Sequence, residues 1–83
     1  MQDPVQKAYV ENALASLGDP AGLAALRRNL YDKNPEIRAY SAETVGHIHG
    51  EQFASRLEQL LADSALDVRI RAAQSLLMLS SYR

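Results

Sequence analysis

With 83 residues the chain has room for one small domain. Lys plus Arg number 9 and Asp plus Glu number 10, for a net charge of -1, which excludes a strong electrostatic footprint for nucleic acid or an anionic membrane. The absence of cysteine excludes disulfides, thiolate metal sites and a cysteine nucleophile.

Taken in chain order, the pattern predicts five helices. The N-terminal MQDPVQ has no basic or apolar leader character, so no signal peptide is expected and the location is read as cytoplasmic. The first helix runs from about Pro4 to Leu17, with Val10, Leu14 and Leu17 facing inward at i, i+4, i+7. The second runs from about Pro20 to Asp32 on Leu23, Leu26 and Leu30. The third runs from about Pro35 to His49 on Ile37, Ser41, Ala42, Val45 and Ile48. The fourth runs from about Glu51 to Asp63 on Phe53, Leu57, Leu60 and Leu61, and the fifth from about Leu66 to Ser80 on Val68, Ala72, Ala73, Leu76 and Leu79. Each proline follows a short polar residue: Asp3-Pro4, Asp19-Pro20 and Asn34-Pro35. Such a residue caps the orphan N–H groups of a helix start, and proline at the next position sacrifices no bond. No apolar run approaches the ~20 residues that span a bilayer.

A shift of 31 residues lays the chain on itself: Pro4 on Pro35, Ala8 on Ala39, Tyr9 on Tyr40, Leu26 on Leu57, Leu30 on Leu61, Asp32 on Asp63, Arg38 on Arg69 and Ala42 on Ala73. A single offset collecting matches along the whole chain marks a repeat architecture of helix pairs.

The segments DKNPEIRAYSAETVG (Asp32 to Gly46) and DSALDVRIRAAQSLL (Asp63 to Leu77) share an Asp, then Ile or Val followed by Arg, then a small residue four positions later. This pattern resembles the HEAT repeat. The short period resembles the bacterial variety named for phycobilisome lyases, since ordinary HEAT units run to ~40–47 residues. The resemblance implies an all-α, α-α superhelix: a HEAT-like solenoid fragment of about five antiparallel helices. Its units fall at about 1–18 (partial), 19–49 and 50–83. It also implies that Asp32, Arg38, Asp63 and Arg69 form a structural ladder between units. At the N-terminus Met1 stands where the Asp belongs and Lys7 where the Arg belongs, so that rung is expected to fail.

The only histidines lie in GHIHG, Gly46 to Gly50. At i, i+2 on a helix, His47 and His49 point to nearly opposite sides, whereas paired helical ligands sit at i, i+3 or i, i+4. Glu43 at i−4 from His47 adds one carboxylate, which leaves too few donors for zinc or iron. The expected role is a helix end, with histidine near the C-terminal dipole and Gly50 in the left-handed stop conformation. No metal and no cofactor are expected.

Two enzyme relatives of the HEAT fold sharpen this. Deoxyhypusine hydroxylases hold di-iron on His-Glu dipeptides, which this sequence lacks. HEAT-like DNA glycosylases present a basic, aromatic face. Here tryptophan is absent and Arg27-Arg28 is the sole basic doublet, read as a solvated helix face. No catalytic residue is assigned.

In HEAT-like solenoids the second helices line the concave face, which implies the first, third and fifth helices here. Away from their inward stripes lie Tyr9, Asn12 and Ser16; then Tyr40, Glu43 and His47; then Arg71, Gln74 and Met78, each set at i, i+3, i+7. Tyr, Arg and Met are enriched at protein interfaces. The expected partner-binding residues are therefore Tyr9, Asn12, Tyr40, Glu43, His47, Arg71, Gln74 and Met78. The partner is expected to be a protein, with neither nucleic acid nor membrane. The chain closes on SLLMLSS, apolar all round, as if cut from a longer array. Leu77 and Met78 there either fold over the last core edge or meet a second copy. The reading is a protein-interaction scaffold. Its alternatives are an accessory domain of a larger enzyme and a purely structural segment.

Overall fold

A computed structural model describes residues 3–81. Five α-helices follow in order: α1 (Pro4–Ser16), α2 (Pro20–Asn29), α3 (Pro35–His47), α4 (Ala54–Leu60) and α5 (Leu66–Ser80). A 3₁₀ turn, Glu51–Phe53, leads into α4. No strand occurs among the described residues.

The start signals behave as their chemistry requires. Asp3 Oδ1 accepts from Val5 N at 2.8 Å, Asp19 Oδ1 from Ala21 N at 2.8 Å and Gly22 N at 3.1 Å, and Asn34 Oδ1 from Glu36 N at 2.9 Å. Each cap is followed by proline in the first helical turn. The helix stops also repeat. After α1, Gly18 has φ 81 and Asp19 N reaches back to Leu14 O at 3.1 Å; after α3, one period later, Gly50 N reaches Val45 O at 3.0 Å. These are two copies of the six-to-one helix stop. In the second copy the left-handed residue is His49, φ 55, and not Gly50, whose φ is -81. The stop needs one left-handed position, and His49 occupies the place Gly18 takes in the first copy.

α1, α3 and α5 lie side by side, α3 packing on both neighbours. α2 packs chiefly on α1, and α4 on α5. The Cα envelope measures 39 × 29 × 14 Å, a slab about two helix layers thick. The core is Leu26, Leu30, Ala42, Val45, Phe53, Leu57, Leu60, Val68, Ala72 and Leu79, all essentially without solvent contact.

The inward stripe expected on α1 is turned outward. Val10, Leu14 and Leu17 are 55%, 39% and 83% exposed, while Ala8, Asn12 and Ala15 are buried. One period on, Ser41 and Val45 are buried and Ile48 half-buried, because α3 has helices on both sides. Among the described residues α1 has a neighbour on one side only, so the small residues that face α2 and α3 form its buried stripe. Gly22 makes this possible. A Cβ there would run into the α1 backbone at Ala15 N and, at 2.6 Å, at Leu14 C. Phe53, one period after Gly22, is instead buried in the core cluster.

Candidate interaction face

A polar network fixes how α1, α2 and α3 sit together. Asn12, expected on the exposed face, is 1% exposed. Its Nδ2 donates to Ser41 Oγ at 3.1 Å, and its Oδ1 accepts from Asn29 Nδ2 at 3.3 Å. One buried amide thus joins α1, α2 and α3. Its alternative, an unpaired amide in a dry site, is costly, so the network fixes register as well as contact. Asn12 is therefore removed from the accessible face.

The ladder residues act near the starts of α3 and α5 and in the loops before them. Arg38 grips Asp63 with two bonds, Nε to Oδ2 at 2.8 Å and Nη2 to Oδ1 at 2.9 Å. Its Nη1 donates to Asp32 O at 2.7 Å, and Arg69 Nη1 donates to Asp63 O at 2.7 Å, one period along. Asp32 and Asp63 also shape their own loops, accepting from Asn34 N at 2.8 Å and Ala65 N at 2.9 Å. The Arg38 hydrogen bonds hold the Asp63 carboxyl below its ordinary range, against the opposing effect of burial. No ion pair joins Lys7 to Asp32 among the described residues, although both line one surface cleft. Met1, which stands one period before Asp32, lies outside the described residues.

Of the other residues of the predicted face, Tyr9 meets Tyr40 and Glu43 meets Arg71. The Tyr9 and Tyr40 rings meet edge to face, with centroids 4.4 Å apart and planes at 72°. Arg71 bridges two carboxylates, Glu43 Oε2 at 2.5 Å and Asp67 Oδ1 at 3.0 Å. The bond to Asp67, then the charges of Glu43 and Asp67, raise the Arg71 pKa, so the guanidinium is a permanent cation. Between the tyrosines and Arg71 lies a shallow pocket of about 130 Å³, lined by Tyr9, Glu36, Ala39, Tyr40, Asp67 and Arg71. His47 and Gln74 are exposed further along α3 and α5. Met78 is half-buried, turned toward Gly46 of α3, which leaves little of it for a partner or for self-association. Leu77, by contrast, is 71% exposed.

Glu36 and Asp67 were not in the predicted set. They sit one period apart in the first turns of α3 and α5, and the stripe Glu36, Tyr40, Glu43, His47 reaches them by one further step of four. The Arg27-Arg28 doublet is not simply solvated. Arg27 stacks over the buried Phe53 ring at 4.9 Å, while Arg28 is exposed and lies 3.8 Å from Glu11. Among the described residues, no group of three or more His, Cys, Asp or Glu side chains could hold a metal ion. None of the helices there is long and apolar enough to cross a membrane.

These observations describe stacked helix pairs locked by an inter-unit Asp–Arg rung. The profile of the HEAT-repeat family matches residues 1–77. The chain belongs to the HEAT-repeat family. HEAT repeats generally serve as protein-interaction or scaffold modules and are typically non-catalytic. No curated protein and no solved structure matches the chain.

Proposed function

We propose that this HEAT-repeat chain is a non-catalytic interaction module that binds a protein partner on the face built by α1, α3 and α5. The observation that carries this is the continuous polar-aromatic row Tyr9, Tyr40, Glu43 and Arg71, drawn from three helices and braced before any partner arrives. A row held by ring contact and ion pairs loses little freedom on docking, so more of its contact energy appears as affinity. His47 and Gln74 extend the row. The 31-residue period supports placement among the short HEAT repeats.

The test is affinity capture from lysate with wild type beside a Tyr40→Ala, Glu43→Lys, Arg71→Glu variant that keeps its helical circular dichroism. A protein retained by wild type and lost by the variant is the expected result. Equal retention would move the partner site to another surface.

A further inference from the structure

The outer side of α5 carries an apolar stripe that no described residue covers. Leu66, Ile70 and Leu77 are 61%, 45% and 71% exposed, at i, i+4, i+11, with Ala73 half-buried between them. The repeat says what kind of surface this is. One period back from Ile70, Ala73 and Leu77 stand Ala39, Ala42 and Gly46, the side of α3 next to α5. There Ser75 Oγ donates to Ala42 O at 2.5 Å, and the bare Cα of Gly46 admits Ser75 and Met78. The α5 stripe is therefore the next copy of an existing helix-packing surface.

The helix that fits it must present what α5 presents to α3. Two periods back from Arg71, Ser75 and Met78 are Tyr9, Ala13 and Ser16 of α1, all exposed on one helical face. Size is matched in the reverse sense. Within the chain, small Gly46 receives the larger Met78; between copies, large Leu77 would meet small Ala13 and Ser16. Neither stripe carries a charge to desolvate, so Gln74 facing Tyr9 would replace the internal Glu43–Arg71 pair.

We infer that copies of this chain stack head to tail, the outer side of α5 in one copy receiving the Tyr9–Ala13–Ser16 face of α1 in the next. Such a contact is heterologous, so it grows instead of closing at a two-fold pair. Tyr9 and Gln74 belong to both this joint and the partner row proposed above, whereas Ala13 and Leu77 belong to the joint alone, so variants at those two positions test stacking separately.

The experiment is sedimentation of the full chain as concentration rises into the millimolar range. Wild type should climb past twice its 9.2 kDa monomer mass. Leu77→Glu and Ala13→Glu should each be monomeric alone, since each spoils one side of the joint at an exposed position. Mixed, they should form a 1:1 dimer that stops there, because Leu77→Glu keeps the α1 face and Ala13→Glu keeps the α5 face. A wild type that stays monomeric throughout overturns the inference. A dimer that Ala13→Glu leaves intact also overturns it, because that result means a symmetric α5–α5 pair.

Discussion

Arg38→Ala should be the most damaging surface-proximal substitution in the chain. The arginine side chain is only 13% exposed and that of Asp63 8%, so their pairing lies mostly out of water. Removing the guanidinium deletes two bonds to the Asp63 carboxylate and one to Asp32 O. The carboxylate then keeps only Ala65 N among these partners. Breaking a buried ion pair from one side costs ~3–5 kcal/mol, and the residual exposure here places the expected loss near 3 kcal/mol. A domain of this length has a total stability of roughly 4–12 kcal/mol, so the loss is a large share of it. With a urea slope of about 1–1.5 kcal/mol/M, the midpoint should fall by roughly 2–3 M. Arg69→Ala is the internal comparison. Its guanidinium gives one bond to Asp63 O, so about 1 kcal/mol should go.

Acid titration supplies an independent readout of the same pair. The folded-state pKa of Asp63 is lowered, chiefly by the Arg38 hydrogen bonds. Its stabilisation is therefore complete above the unfolded value near ~3.9 and disappears as pH falls through the lower folded value. Wild type should lose stability over that acid window more steeply than Arg38→Ala. An Arg38→Ala chain with an unchanged urea midpoint and an unchanged acid profile would refute the claim that this rung joins the units.

Four further outcomes follow from packing, backbone conformation and charge. Gly22→Ala should cost at least ~3 kcal/mol in a denaturant titration, because its Cβ meets α1 backbone and not a movable side chain. Gly18→Ala should cost about 1 kcal/mol, from its positive φ alone, since no atom lies near its Cβ. Asn12→Leu should lose about 1–3 kcal/mol, because Ser41 Oγ loses the amide that donates to it and Asn29 Nδ2 is left with Glu11 Oε1 alone; calorimetry of the Asn12→Leu, Asn29→Ala double variant should show non-additivity. Lys7→Arg should raise the melting temperature by about 4–8 °C, by placing a fork opposite Asp32 as Arg38 stands opposite Asp63.

Much of this was legible in the sequence because the relevant signals are local or periodic. The Asp-Pro and Asn-Pro starts name three helix caps directly, and the 31-residue offset places Arg38 one period from Arg69 and Asp32 one period from Asp63. What failed depended on neighbours. Val10, Leu14 and Leu17 are as apolar as Val45 and Ile48, but periodicity cannot say whether a helix has a neighbour on both sides. Asn12 lies on the side of the helix away from Val10, Leu14 and Leu17, which reads as the surface; only the convergence of Ser41 and Asn29 makes its burial affordable. Gly50 was the natural left-handed residue of GHIHG, yet the alignment with Gly18 points one residue earlier, to His49. Tyr9 and Tyr40 were paired from the repeat alone, whereas Asp67 and Glu36 entered the face through the Arg71 ion pair and the pocket it borders.

The claim that α1, α3 and α5 present the working face is tested most directly by site-specific photo-crosslinking in cells of the source organism. One copy carries the photoreactive residue at Tyr40, on that face; the other carries it at Glu58, exposed on α4 in the opposite layer. The account predicts a discrete crosslinked protein from position 40 that Arg71→Glu abolishes, and none from position 58. A product from position 58 with none from position 40 would contradict it.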